Sequence, residues 1–154
     1  MNDTNGSKQL RKVIRILERK LGILEENEFS CCGITITQCF ALVEIGRAKI
    51  ISLNELAELL NLEDSTMSRT VNNLVTGKLA KRDIDPQDRR YVTISLTEIG
   101  QKLFENIENS MERYYNDIFS HIPEAKREQV LESLDLLLKA VVKSDCCNGN
   151  GCCK

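Results

Sequence analysis

The stretch Asp85-Pro-Gln-Asp-Arg-Arg90 is the most informative part of this chain, because it places two arginines at the tip of a predicted turn. Strand-like sequence lies on both sides, at Lys81–Ile84 and Arg90–Leu96, and apolar and polar residues alternate in the second run. Shortly before the hairpin, Ser65–Thr76 has apolar residues at helical spacing on one side and polar residues on the other. The sequence therefore predicts a polar-faced helix followed by a hairpin with a basic tip.

This helix and hairpin together have the chemistry of a surface that contacts duplex DNA. Short polar side chains approach base edges without clashing, and Arg or Asn makes two hydrogen bonds to a single base. Arginines at a hairpin tip fit a minor groove, where the negative potential is strongest in narrow A·T-rich tracts. The residues expected to meet DNA are Ser65, Thr66, Ser68, Arg69, Asn72, Asn73, Lys78, Lys81, Arg82, Asp88, Arg89 and Arg90.

The charged residues of the hairpin are expected to have different roles. Arg89 or Arg90 would enter the minor groove, and Asp88 would pair with one of them and stiffen the tip. Phosphate contacts are assigned to Lys78, Lys81 and Arg82. The alternative is a solvated charged turn beside a solvated helix face, with no DNA contact. Exposed ion pairs contribute only about 0–1 kcal/mol, so stability gives little reason for three adjacent charges at a turn.

Helical periodicity also fills the sequence on both sides of this segment. Thr35-Ile-Thr-Gln38 and Ser52-Leu-Asn-Glu55 both match a capping box and therefore mark the starts of two helices. Thr97 is expected to cap a long helix, and Pro123 to be the first helical residue of the last one. Besides the polar-faced helix, helices are predicted at about 8–26, 35–47, 52–60, 97–120 and 123–143.

This order of elements resembles the MarR family of bacterial and archaeal transcriptional regulators over about residues 8–143. Three segments carry the resemblance. Ser65–Leu74 resembles the recognition helix, Asp85–Thr97 resembles the wing, and Leu96–Gly100 resembles the start of the fifth helix. One departure lies where the family usually has Gly immediately before the Leu that starts the wing. Here Lys78 separates Gly77 from Leu79, so the geometry of this turn is expected to differ.

The resemblance implies a mainly α fold with a small β-hairpin wing, that is, a winged helix-turn-helix with N- and C-terminal dimerisation helices. It implies a homodimeric regulator, with repression as the favoured action, on double-stranded DNA with a pseudo-palindromic operator. A ligand or modification would change the spacing of the two DNA-binding lobes. The implied divisions are a dimerisation helix with a cysteine loop at 8–34 and the winged helix-turn-helix lobe at 35–97. Two dimerisation helices follow at 98–143, and a cysteine-rich tail at 144–154.

Seven cysteines in 154 residues indicate thiol or metal chemistry, since an odd number cannot all pair within one chain. If Thr35 caps its helix, Cys39 lies in the first turn, where amide dipoles favour a thiolate. Thiolate clusters bind thiophilic ions, so arsenite is the first candidate effector, and Cu(I) and Zn are further candidates. No metal or cofactor is expected to be required for the fold. The alternatives are thiol oxidation, or a Cys39 that is buried in the core. The candidate ligands are Cys31, Cys32, Cys39, Cys146, Cys147, Cys152 and Cys153.

Composition and motifs weigh against other classes of protein. No apolar run approaches the roughly 18 residues of a membrane span, and the first residues do not form a secretory signal, so a cytoplasmic location without a membrane partner is expected. Phosphate-binding loops, His-based metal motifs and Ser-His-Asp sets are absent from the sequence, so an enzyme is not expected. The alternative from another class is an intracellular thiol-based metal buffer whose active part is the tail. The net charge is −2, but residues 78–90 hold five basic side chains against three acidic ones.

Overall fold

The computed structural model describes residues 3–29 and 33–144, with side chains at 5–22 and 33–144. In chain order its elements are α1 (Asp3–Phe29), α2 (Ile36–Ala48), β1 (Ile51–Ser52), α3 (Leu53–Leu59), α4 (Asp64–Thr76), β2 (Ala80–Ile84), β3 (Val92–Leu96), α5 (Glu98–Ser120) and α6 (Glu124–Lys143). The strands form one antiparallel sheet in the order β1-β3-β2. A mainly helical chain with this small sheet confirms the predicted winged helix-turn-helix fold.

Both predicted capping boxes are present and fix where α2 and α3 begin. The Gln38 amide donates to Thr35 Oγ1 at 3.3 Å, and the Thr35 amide donates to Gln38 Oε1 at 3.0 Å. The Ser52 amide donates to Glu55 Oε2 at 2.9 Å, and the Glu55 amide donates to Ser52 Oγ. The hydrogen bond from the Ser52 amide, aided by the Ser52 hydroxyl, lowers the pKa of the Glu55 carboxyl below its ordinary value.

Two local features differ from the sequence predictions. Pro123 is the N-cap of α6, with ψ at 131°, and not its first helical residue. Its extended ψ keeps it outside the helix, which begins at Glu124. The strand β1 was not predicted, because two residues are too few to show an alternating pattern. It pairs Ile51 with Ile94 and Ser52 with Thr93, and so completes the sheet behind the hairpin.

The apolar core lies among α2, α3, α4 and β3. Its largest fully buried side chains are Leu42, Ile45, Leu56, Met67, Leu74, Ile94, Val71 and Cys39. Burying one Leu, Ile or Met side chain contributes about 1.5–3 kcal/mol, so this cluster stabilises the lobe that presents α4 and the hairpin. Gly100 allows a close approach, because a Cβ there would overlap the Leu79 carbonyl that precedes the hairpin.

The chain divides into two compact units, residues 1–108 and 109–154. The four-part division expected from the sequence remains a prediction. In the second unit, Arg127 stacks over the Phe119 ring at 5.2 Å and donates from Nε to the Ile122 carbonyl at 3.1 Å. These contacts order the turn between α5 and α6. Within the described residues, no helix is both long enough and apolar enough to cross a membrane.

Candidate nucleic-acid interface

The orientation of α4 is set by its buried side. Met67, Val71 and Leu74 are almost completely buried, and Thr70 beside them satisfies its hydroxyl by donating to the Thr66 carbonyl at 2.9 Å. This packing against α2 and α3 leaves the opposite side of the helix to solvent. The exposed residues there are Ser65, Thr66, Arg69, Asn72 and Asn73, and Ser68 is half-buried. The structure therefore brings the predicted polar residues together on one helix.

The turn after α4 is built on a residue that rarely adopts its conformation. The Leu79 amide donates to the Leu74 carbonyl and the Lys78 amide donates to the Val75 carbonyl, which is the hydrogen-bond pattern of a Schellman motif. In that motif the residue after the C-cap has positive φ and is usually Gly. Here it is Lys78, with φ at 60°, whereas Gly77 has an ordinary φ of −74°. The extra residue between Gly77 and Leu79 therefore puts Lys78 at the positive-φ position, and the hydrogen-bond pattern of the Schellman turn is kept.

A hydrogen bond connects the hairpin to α4. Strands β2 and β3 pair from Ala80 opposite Leu96 to Ile84 opposite Val92. Arg82 Nη2 donates to the Ser68 carbonyl of α4 at 3.3 Å. Arg82 was predicted as a phosphate contact, and one of its five N–H groups is used inside the protein instead. Periodicity could not indicate this link, because it joins residues on separate elements.

The wing tip is shaped by two aspartates that accept backbone hydrogen bonds. Asp85 Oδ1 accepts the Gln87 amide at 2.8 Å, and Asp88 Oδ1 accepts the Arg90 amide at 3.0 Å. Asp88 was predicted to pair with one of the two arginines that follow it, and the bond present is to the Arg90 backbone amide; the ion pairs among the described side chains do not include Asp88. Asp88 stiffens the tip through a backbone amide, because short Asp side chains reach the amide two residues further on.

The arginines of the tip project from this ordered turn. Arg89 and Arg90 are both exposed, and the ion pairs formed among the described side chains include neither of them. Lys81 forms an exposed ion pair with Asp83 at 3.7 Å, which solvent screens. The tip therefore offers two guanidinium groups that an outside anion can reach.

The start of α5 is fixed to the turn that precedes the wing. Thr97 Oγ1 accepts the Gly100 amide at 3.1 Å, as predicted for a helix cap. The same hydroxyl donates to the Lys78 carbonyl at 2.6 Å. One threonine thus joins the end of β3, the start of α5 and the base of the hairpin.

Of the seven cysteines, the structure describes Cys39 alone. Its side chain is completely buried, on the side of α2 that contributes to the lobe core. The predicted ligands Cys31, Cys32, Cys146, Cys147, Cys152 and Cys153 lie outside the described residues. Among the residues that are described, His, Cys, Asp and Glu form no group of three or more that could hold a metal ion.

Comparison with known proteins identifies a family that the lobe resembles. A model described as the MarR family matches residues 33–90, which include α2 to α4, β2 and the wing tip. The chain is similar to the MarR family over these residues. The resemblance predicted from the recognition helix and the wing is thus confirmed.

Proteins similar to this chain are named as transcriptional regulators. The HTH-type regulator YdgJ of Bacillus subtilis (strain 168) is 22% identical over 105 residues, which are 68% of this chain and 64% of YdgJ. YhbI of the same bacterium is 31% identical over 97 residues, 63% of each protein. The chain therefore spans slightly less than two thirds of the length of these two relatives.

A solved structure shares the fold. Streptococcus pneumoniae FabT, crystallised in complex with DNA, matches 88% of this chain and 96% of its own with a TM-score of 0.82 and 18% sequence identity. At this identity the likeness concerns the fold alone.

Proposed function

We propose that this chain is a homodimeric DNA-binding transcriptional regulator of the MarR type. The observation that carries the proposal is that the exposed polar face of α4 and the arginine-tipped wing belong to one lobe, joined by the bond from Arg82 to the Ser68 carbonyl. The relatives named as transcriptional regulators and the FabT complex with DNA support it.

The spacing on α4 fits direct contact with bases. Ser65, Arg69 and Asn72 follow at intervals of four and three residues and therefore share one helix face. At 1.5 Å per residue they extend over about 10 Å, which matches about three base pairs. Arg69 and Asn72 would each form two hydrogen bonds to one base in the major groove. Arg89 and Arg90 would occupy the adjacent minor groove.

Homodimer formation is supported by unpartnered apolar surface. Helix α6 has no buried residue, and Leu131, Leu134 and Leu138 are each at least half exposed. Helix α1 exposes Leu10 and Val13 by 47% and 48%. Apolar stripes at helical spacing are stabilised when another helix covers them. A two-fold dimer would then place two winged lobes on the two halves of a pseudo-palindromic operator.

Repression is the proposed action on the target gene. A dimer whose recognition helices occupy successive major grooves covers two half-sites about one helical turn apart. Bound over a promoter, it would exclude other proteins from the same DNA face. A reporter gene under its own upstream region should therefore become more active when the wing arginines are replaced by Ala.

A thiophilic effector is the proposed signal, with arsenite as the first candidate and thiol oxidation as the second. The support is the sequence, in which three pairs of adjacent cysteines accompany Cys39. Because Cys39 is fully buried, it would bind a metalloid only if the start of α2 opened. An effector that binds better to the DNA-free state lowers operator affinity by that difference in affinity.

DNA titrations test the proposed function directly. Labelled duplex from the region upstream of the gene is titrated with the wild type and with the double variant Arg89→Ala/Arg90→Ala. The double variant should bind much more weakly at moderate salt while it keeps its dimer mass in sedimentation. Arg69→Ala should weaken binding by about 1–3 kcal/mol for each half-site and relax the base preference at one position in each. Wild-type protein that binds no fragment of the upstream region would refute the proposal.

The matched control for the double variant is Arg113→Ala/Lys126→Ala, which removes two exposed positive charges outside α4 and the wing. It should bind the operator like the wild type. The effector proposal is tested separately by adding arsenite, Cu(I) or peroxide to the complex, with Cys31→Ser/Cys32→Ser and a chain lacking residues 145–154 as comparisons. If none of the three reagents releases the protein from DNA, the proposal of a thiol-based effector is wrong. The proposal of DNA binding then still stands.

A further inference from the structure

Helix α1 has a continuous stripe of positive charge that the proposed function does not use. The stripe consists of exposed residues three or four positions apart on one helix face, Lys8, Arg11, Lys12, Arg15 and Arg19, and we name it the α1 basic stripe. These side chains line one shallow depression of the surface, together with Ile16. Glu18 is the one acidic residue in the sequence from 5 to 22, whereas the whole chain has a net charge of −2.

Helix formation does not explain the α1 basic stripe. Like charges three or four residues apart disfavour a helix, and Lys8 with Lys12, Arg11 with Arg15, and Arg15 with Arg19 are such pairs. The ion pairs among the described side chains include no member of the stripe. One internal bond, from Arg19 Nε to the Arg15 carbonyl at 3.3 Å, leaves most of their N–H groups to solvent. The charges therefore oppose folding and point to an outside anion.

The apolar side of α1 is a different surface. At 3.6 residues per turn, Leu10, Val13 and Leu17 lie about half a turn around the helix from the α1 basic stripe. These three side chains are 43–48% exposed, and a second copy would cover them in the proposed dimer. The stripe then still faces outward, so its partner is not the one that covers the apolar side.

We propose that the α1 basic stripe binds the phosphate backbone of duplex DNA outside the base pairs held by α4 and the wing, an inference that rests on the proposed function. Three of the five side chains are arginines, which pair with phosphate through two parallel hydrogen bonds. From Lys8 to Arg19 the helix rises about 16 Å, and one strand of B-DNA carries about five phosphates over that length.

DNA is favoured over an anionic membrane as the partner. Helices that lie in a lipid interface often have Trp or Phe beside Leu on the apolar face. The sequence from 5 to 22 contains no Phe, Tyr or Trp. DNA is also the polyanion that the rest of the lobe is proposed to hold, so its phosphates are present at high local concentration.

The salt dependence of DNA binding tests the stripe. Binding of the full-length protein to upstream duplex, extended by a helical turn at each end, is measured by fluorescence anisotropy over a range of salt concentrations. In the variant Arg11→Gln/Arg15→Gln/Arg19→Gln, a bound dimer loses three phosphate contacts from each protomer. The slope of log K against log salt should therefore become shallower by about 5.4, since each lost contact contributes about 0.9. The loss should be equal on operator and scrambled duplex. Arg→Lys at the same three positions should keep the wild-type slope.

The control variant is Arg113→Gln/Lys126→Gln/Lys143→Gln, which removes the same charge from exposed positions outside the stripe and should keep the wild-type slope. The stripe variant should melt no lower than the wild type, because like-charge repulsion in α1 is removed. If it unfolds, Arg15→Gln alone provides the test, with a slope shallower by about 1.8, because the dimer loses one contact from each protomer.

The outcomes separate the stripe from the proposed function. A wild-type slope in the stripe variant, with operator binding intact, overturns the role of the stripe and leaves the DNA-binding proposal standing. A wild type that binds no DNA overturns both. Vesicles containing phosphatidylglycerol are the second probe. If the stripe variant loses vesicle binding but keeps its DNA slope, the stripe binds lipid and the proposal is wrong.

Discussion

Replacing Lys78 with Gly should stabilise the chain, because Lys78 holds the left-handed position of the turn that ends α4. Its φ of 60° lies in a region that costs a side-chain-bearing residue about 1–2 kcal/mol and costs glycine almost nothing. Glycine also has more freedom in the unfolded chain, which removes about 0.4–1 kcal/mol of the gain. The net increase in the free energy of unfolding should be about 1 kcal/mol, equivalent to a rise of about 2–4 °C in melting temperature.

The measurement is urea unfolding and thermal unfolding of Lys78→Gly beside Lys78→Ala and the wild type. The Ala variant removes the charge and keeps the strained φ, so its stability should stay close to that of the wild type. Lys102→Gly is the matched control, because Lys102 is exposed within α5, where glycine should destabilise by about 1 kcal/mol. A Lys78→Gly chain that is less stable than Lys78→Ala would refute the argument from backbone strain.

Three further predictions concern packing, capping and the wing. Gly100→Ala should destabilise the chain by about 3 kcal/mol or more in urea unfolding, because its methyl group would overlap the Leu79 carbonyl; a loss below about 1 kcal/mol would contradict the close approach. The pKa of Glu55 is lowered in the folded chain, so its bond with Ser52 stabilises the fold fully at pH values above the ordinary carboxyl pKa. This stabilisation is lost as the pH falls through the lowered pKa of the folded state. The stability difference between wild type and Glu55→Ala should therefore shrink below about pH 4, and a constant difference would disprove the linkage. Asp88→Ala should weaken DNA binding while it changes the melting temperature little, and an unchanged affinity would show that the tip needs no aspartate.

The sequence was sufficient to predict the elements whose cause is local. Both capping boxes have their signal within four residues, at Thr35 and at Ser52, and both are present. The polar face of α4 follows from helical periodicity, and the hairpin follows from alternation around Pro86. In each case the physical cause lies within one element, so a single sequence contains it.

The features that the sequence did not predict depend on contacts between separate elements, or on side chains that have more than one chemically reasonable partner or role. The bond from Arg82 to the Ser68 carbonyl exists only once the hairpin has folded beside α4. Asp88 had two acceptable partners, an arginine side chain and a backbone amide, and spacing alone does not distinguish them. Cys39 fitted both a reactive thiol and a core residue; free Cys is usually buried, which favoured the core for Cys39 taken alone, and its complete burial agrees with that.

In the proposed regulator, α4 and the wing of both protomers bind duplex DNA together. A hydroxyl-radical footprint on the DNA upstream of the gene tests this binding most directly. We predict two equivalent protected patches related by two-fold symmetry, with centres separated by a whole number of helical turns of about 10 base pairs. In Arg89→Ala/Arg90→Ala the protection at the outer minor-groove positions should disappear. A wild-type footprint that lacks two-fold symmetry, or one that the double variant reproduces unchanged, would contradict the account.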